Sequence, residues 1–314
     1  MSKDYELCVD AHPNIYSDLT SRKLDIYFSE PENGVNNDTG ILNIIAGFGG
    51  NANSNVYKKM RSYFSDKYNM VTVQCNYFGW EFMQNEPMQE NLENFNDMGP
   101  MQALDNIFSV IMISEILKDN NLDFNASKII SYGHSHGAYL SYLSNRFAPG
   151  LFNLIIDNSS WLCPTYLLSD RYLNSNGNVS IFNYLVRTFD NLDLDIYNLN
   201  YLYKHFKNKC TIHTFHGIDD NLIQFKDKAN FCLPMKKCFL HKIDHASINE
   251  VFKSTGHSLD ADYLKLYDYV MENYSINFGH STGISISNHR IETQKYSYLF
   301  DFENQIPVLT REER

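Results

Sequence analysis

Ser127-Lys-Ile-Ile-Ser-Tyr-Gly133-His134-Ser135-His136-Gly137-Ala-Tyr-Leu-Ser-Tyr-Leu143 is the stretch that decides the fold. A short β-branched run leads into Gly-x-Ser-x-Gly, and a helix-like stretch leaves it. That is the strand–turn–helix setting of a nucleophile elbow. The turn is so sharp that the serine backbone is strained, and glycines two residues to either side let the neighbouring chain pass without a Cβ clash. Ser135 then holds its hydroxyl clear of the sheet, with the His136 N–H at a helix N-terminus. The competing reading is a Gly-rich turn around a buried serine, and the rest of the chain decides between them.

Outward from the elbow, short apolar runs alternate with helical patterns. Strands are expected at Tyr5–Val9, Lys23–Phe28, Ile41–Ala46, Met70–Cys75, Lys128–Tyr132, Leu151–Asp157, Cys210–Phe215 and Lys237–Ile243. The first two suggest an antiparallel hairpin or meander. From Ile41 onward helices separate the strands, which argues for a parallel sheet of βαβ units. Those helices are expected at Ser54–Lys67, Gly99–Asp119, His136–Phe147, Asn221–Cys232 and Ser258–Tyr274. The second has Pro100 in its first turn and an apolar stripe of Met101, Leu104, Ile107, Phe108, Ile111, Met112 and Ile116. Eight strands with the serine after the fifth match the α/β-hydrolase arrangement, a mostly parallel sheet flanked by helices. Residues 158–208 break the alternation between the sixth and seventh strands, and a connection of that length reads as a lid or cap. The core would span 1–274. The polar, aromatic extension 275–314 either packs as an extra hairpin or serves a protein partner.

With 314 residues, 43% of them hydrophobic and 14% aromatic, the chain can bury a large core. Lys and Arg number 26 against 37 Asp and Glu, a formal charge of −11, and no basic stretch stands out. This argues against nucleic-acid binding. The six cysteines are scattered without a C-x-x-C pair, so free buried thiols are expected rather than a disulfide framework or zinc site. The N-terminus lacks an apolar signal core and no run reaches membrane-spanning length, so a cytoplasmic protein is expected.

A serine hydroxyl needs a base to take its proton and a third group to orient that base. In this fold the order is Ser, acid, His. After the seventh strand the chain reads Phe215-His216-Gly217-Ile-Asp219-Asp220-Asn-Leu-Ile223, which resembles the acid loop of esterases and oligopeptidase-like α/β-hydrolases. The spacing favours Asp220. Asp219 is the near alternative, and Asp157 after the sixth strand is a third. Either aspartate of the pair could instead cap the following helix. For the base, His257 in Thr-Gly-His-Ser-Leu is favoured over His245, which comes directly off the last strand.

An oxyanion hole needs two amide donors fixed in advance. One is the His136 N–H. The other is expected in Ala46-Gly47-Phe48-Gly49-Gly50-Asn51, which resembles the His-Gly-x-Gly loop of lipases with Ala in the His place. Phe48 is the first candidate and Gly49 the second. The loop lacks the Gly-Lys-Ser/Thr of a phosphate loop and does not complete G-x-G-x-x-G, so no nucleotide cofactor is expected. His134/His136, His213/His216 and His241/His245 are close pairs, but no H-E-x-x-H or third ligand accompanies them, so no metal is expected. Tyr77, Phe78 and Trp80, after the fourth strand, are candidates for substrate contact or for core packing.

Three stretches, Ala46–Ser54 (AGFGGNANS), Gly133–Gly137 (GHSHG) and Val251–Tyr269 (VFKSTGHSLDADYLKLYDY), resemble a bacterial family of unknown function often found near flagellin-glycosylation and motility loci. The resemblance implies His257 as the triad base and a role in surface-sugar modification. A serine esterase or deacylase acting on a small acylated substrate such as a sugar is therefore expected. Acyl transfer by the same fold and a non-catalytic accessory protein of flagellin modification are the alternatives.

Overall fold

The N-terminal strands β1 (Lys3–Asp10) and β2 (Lys23–Glu30) pair antiparallel along their whole length. Charged Lys3, Asp4, Glu6 and Asp10 solvate β1, which blunts an open sheet edge. Next come β3 (Gly40–Ile45), α1 (Asn55–Tyr68), β4 (Met70–Cys75), α2 (Pro100–Asp119), β5 (Ile129–His134), α3 (His136–Phe147) and β6 (Leu154–Asn158). The strands β3 to β6 are buried at every residue. Continuous apolar runs of that kind belong inside a parallel sheet covered on both faces. The computed structural model describes residues 1–17, 21–83, 89–175, 177–303 and 306–314.

The chain continues through α4 (Thr165–Leu168), the hairpin β7 (Arg171–Ser175) and β8 (Asn178–Phe182), and α5 (Leu199–Tyr203). It then returns to the sheet as β9 (Thr211–Gly217), α6 (Phe225–Cys232) and β10 (Cys238–Ile243), followed by α7 (Tyr263–Asn273). The main sheet has eight strands in the order β1-β2-β4-β3-β5-β6-β9-β10. Only the β1–β2 and β2–β4 pairings are antiparallel. This is the α/β-hydrolase fold, with Ser135 after the fifth strand and a long excursion between the sixth and seventh strands of the sheet.

Element ends moved where side chains compete for the backbone. The helix expected from Asn221 starts at Phe225 because Asp220 Oδ1 accepts the Leu222 and Ile223 N–H groups at 2.9 and 3.1 Å. The helix expected from Ser258 starts at Tyr263, capped by Asp262, because Ser258 and Leu259 have positive φ. The sixth strand starts at Leu154, since Leu151 N–H closes a turn onto Ala148 O. Helix α2 is not one-sided: polar Gln102, Asp105, Asn106 and Ser109 are buried with Met101, Leu104, Ile107 and Phe108, whereas Ile111, Met112 and Ile116 of the expected stripe are only half-buried. All six cysteines are free, but only Cys75, Cys210 and Cys232 are buried; Cys163 and Cys238 are half-buried and Cys8 is exposed on edge strand β1.

Past α7 the chain forms a separate antiparallel sheet of β11 (His289–Glu292), β12 (Tyr296–Asp301) and β13 (Val308–Glu313). Phe300 stacks on Phe147 of α3 at 4.6 Å, and Thr293 and Tyr298 hydroxyls donate to buried Asp193. This sheet therefore braces the excursion between β6 and β9 against the core. Among the described residues, no helix is long and apolar enough to cross a membrane.

One buried ion pair crosses the core. Asp157 Oδ2 accepts from Lys228 Nζ at 2.6 Å, and also from Tyr142 and Thr214 hydroxyls. Neither charged side chain has any exposure. Burial alone would push the Asp157 carboxyl up, but the Lys228 charge and these donors hold it below the usual range. Removing one partner strands the other charge in the interior. Lys228→Met should lower the unfolding free energy by about 3–5 kcal/mol in urea titration, and a loss below about 1 kcal/mol would show that no charge is stranded in the interior.

Candidate active site

Ser135 sits between β5 and α3 with φ 53° and ψ −116°, a left-handed backbone that L-residues rarely adopt. The reason for the flanking glycine is steric. A Cβ on Gly137 would lie 2.3 Å from Ile45 O and 2.5 Å from Ala46 O. The start of α3 therefore rests directly on the end of β3, which brings the 46–50 turn beside the serine. A Cβ on Gly47 of that turn would meet Ser135 Cβ at 3.9 Å.

The three residues of the expected relay meet. Ser135 Oγ is 2.7 Å from His257 Nε2, and His257 Nδ1 is 2.8 Å from Asp220 Oδ2. An ionised carboxylate only accepts, so His257 carries its proton on Nδ1 and offers a bare Nε2 to the Ser135 hydroxyl. Burial would raise the Asp220 carboxyl. The hydrogen bond and charge of His257, with the Ile223 and Leu222 N–H groups, outweigh this and hold it below the usual range.

The alternatives lie elsewhere. Asp219 Oδ2 accepts from Thr255 Oγ1 at 2.5 Å and lies 3.5 Å from Nε2 of the largely exposed His245. Asp157 is engaged by Lys228. Asp219 nonetheless matters, because its side chain and its N–H (to Thr255 O, 2.9 Å) tie the acid loop to the histidine loop. The two backbones touch closely: a Cβ on Gly217 would fall 2.0 Å from Thr255 O. His216 Nε2 donates to Ile223 O at 2.8 Å and closes the acid loop from behind.

Phe48 and Gly49 lie in the turn closed by Gly50 N–H onto Gly47 O, and His136 opens α3. The Tyr77 hydroxyl donates to Ala46 O at 3.1 Å. Tyr77 and Phe78, at 1% and 2% exposure, are core residues: Tyr77 props the turn, and Phe78 packs on Phe95 and under Arg22. Trp80 is half-buried beside Arg22 and Glu81 in a hollow whose lining includes neither Ser135 nor His257. The ring of Phe48 meets Trp161, Tyr166 and Tyr184 at 6.0, 5.6 and 6.1 Å, so the excursion packs directly on the turn.

Gln102 and Trp161 carried no motif, and only the folded chain brings them to the site. Gln102 Oε1 accepts from His136 Nε2 at 2.6 Å. The pairing His213 with His216 does not form; His213 Nδ1 faces His241 Nε2 at 3.1 Å across neighbouring strands. Among the described residues no three His, Cys, Asp or Glu side chains converge as a metal site.

A family model described as "Protein of unknown function (DUF2920)" matches residues 82–169, the stretch that contains the elbow. No curated protein matches. Among solved structures, Est1E from Butyrivibrio proteoclasticus with ferulic acid bound is similar at 17% identity and TM-score 0.52, over 80% of this chain and 95% of that one. Thermogutta terrifontis esterase 2 phosphonylated by sarin is similar at 15% identity and TM-score 0.50, over 84% and 92%. These likenesses agree with the α/β-hydrolase fold.

Burial pushes the flanking His134 and His136 down to about 3 from an ordinary 6.5. Between those values the unfolded chain binds protons that the folded chain refuses, so stability rises with pH across that window and falls on acidification. Histidine-selective NMR should find neither ring titrating between about pH 5 and 8. A midpoint inside that interval for either residue would contradict the buried, neutral assignment.

Proposed function

We propose that the chain is a serine hydrolase of small acyl esters. The single observation that carries this reading is the unbroken relay from Ser135 Oγ through His257 to Asp220, at 2.7 and 2.8 Å. Ser135 Oγ adds to the acyl carbonyl carbon while its proton passes to His257 Nε2. The tetrahedral intermediate puts its negative charge on the former carbonyl oxygen, which the Phe48 and His136 N–H groups would receive, with Gly49 N–H as the alternative donor. The bond to the leaving oxygen then breaks as His257 Nε2 returns the proton to it. Water attacks the acyl-serine, His257 takes its proton and delivers it to Ser135 Oγ, and the carboxylic acid departs. Asp220 stays ionised throughout and holds the Nδ1–H tautomer.

Residues 158–208 act as the lid of this site; the contacts of Trp161, Tyr166 and Tyr184 with the Phe48 ring support that role. An O-acylated sugar of a bacterial surface glycan, handled in the cytoplasm, is the substrate class we favour. That part rests on the sequence resemblance described above.

A fluorophosphonate probe should label the folded wild-type chain and leave Ser135→Ala unlabelled. With a short p-nitrophenyl ester, Asp220→Asn should lower kcat by about 10⁴-fold, and Ser135→Ala by about 10⁴- to 10⁶-fold. Labelling that persists in Ser135→Ala, or its absence from folded wild type, would overturn the reading.

A further inference from the structure

Beside the nucleophile, Trp161 Nε1 and His136 Nδ1 are buried polar atoms with no hydrogen-bond partner among the described residues. The two residues are 2% and 0% exposed, and their rings lie 5.0 Å apart. Their chemistry is complementary. An indole Nε1 only donates. His136 Nδ1 only accepts, because the ring is neutral and its one proton is used at Nε2 on Gln102 Oε1. Gln102 cannot flip to offer a donor instead: its amide nitrogen is held by Phe78 O at 2.9 Å and Asn96 Oδ1 at 2.7 Å.

An unpaired buried donor or acceptor costs about 1–3 kcal/mol. A donor and an acceptor on neighbouring rings therefore call for one shared partner. Their position says what that partner belongs to. His136 is the residue after Ser135, and both rings pack on Phe48, at 5.9 and 6.0 Å. The pair thus lies beside the position where the scissile carbonyl would sit. A hydroxyl meets both needs with one oxygen, accepting from the indole N–H and donating to the imidazole nitrogen at about 2.8–3.0 Å each.

We propose that Trp161 Nε1 and His136 Nδ1 form a subsite for a hydroxyl group of the substrate, next to the ester that Ser135 attacks. This inference rests on the serine-hydrolase reading above. The hydroxyl has two possible sources, the acyl chain or the alcohol, and matched esters separate them. The acyl arm compares p-nitrophenyl butyrate with p-nitrophenyl 3-hydroxybutyrate. The alcohol arm compares cyclohexyl acetate with the monoacetate of cis-1,2-cyclohexanediol.

Wild type should favour the hydroxyl-bearing ester about 10-fold in kcat/KM in one arm. Trp161→Phe, which keeps an aromatic ring but removes the N–H, should bring that ratio close to one, whatever its absolute rate on the plain ester. Equal rates in both arms for wild type sink the subsite and leave the hydrolase reading standing; so does a preference that survives Trp161→Phe. If that variant fails to fold, the wild-type ratios alone decide. A crystal structure with a substrate analogue bound and a water still bridging the two atoms also overturns the subsite. Failure to hydrolyse any of the four esters, together with no fluorophosphonate labelling, sinks both readings.

Discussion

The near-contact of Gly217 with Thr255 is the constraint on which the arrangement of the site depends. Asp220 leaves the end of β9, whereas His257 arrives on a loop that has already crossed β10. Only because position 217 has no side chain can the Thr255 carbonyl lie where a Cβ would fall, 2.0 Å away. Once the two backbones touch, Asp219 bonds to Thr255 through both its N–H and its carboxylate, and Asp220 is left facing His257 Nδ1. The adjacent acids divide the work: Asp219 joins two loops, and Asp220 meets the imidazole.

The same region concentrates strained backbone. Ser135 has φ 53°, and Ser258, Leu259 and Asp260 follow His257 with φ 63°, 59° and 42°. Such residues cost roughly 1–3 kcal/mol each and persist only when their surroundings over-determine them. Here Leu259 is fully buried, its carbonyl accepts from Lys253 and Ser254 N–H groups, and Asn158 Nδ2 donates to Ser258 O at 3.1 Å. Asn158 also lies 3.2 Å from His134 Nδ1, so the end of β6 fastens the elbow to the histidine loop. Four of the eight described non-glycine residues with positive φ lie in the two turns that aim the hydroxyl and the imidazole.

What the sequence reveals follows from how local each signal is. The elbow, the Gly-Ile-Asp-Asp loop and the Gly-His-Ser turn are each written in a few consecutive residues, because each needs a particular backbone shape. The eight strands of the main sheet follow from apolar runs separated by helices, whereas their order in the sheet and the short strands β7, β8 and β11 to β13 do not. The supports are different. Gln102 lies in α2, Asn158 at the end of β6 and Trp161 just past it, and nothing in their neighbours marks them. Tyr77 and Phe78 show the reverse case: an aromatic cluster at the carboxyl end of β4 suits substrate contact or core packing, and the folded chain buries both rings beneath the 46–50 turn and Arg22. Helix starts moved for a related reason, since Asp220 satisfies Leu222 and Ile223 while serving His257.

His257 presents a bare Nε2 to Ser135 because Asp220 holds its proton on the far nitrogen. Low-temperature proton NMR of the unliganded chain tests this most directly, by following the far-downfield region where a slowly exchanging imidazole Nδ1–H bonded to a carboxylate resonates. One such signal is expected, surviving in Ser135→Ala and disappearing in Asp220→Asn and in His257→Gln. Its absence from the folded wild-type chain, or its persistence in Asp220→Asn, would mean that Asp220 does not hold the His257 proton.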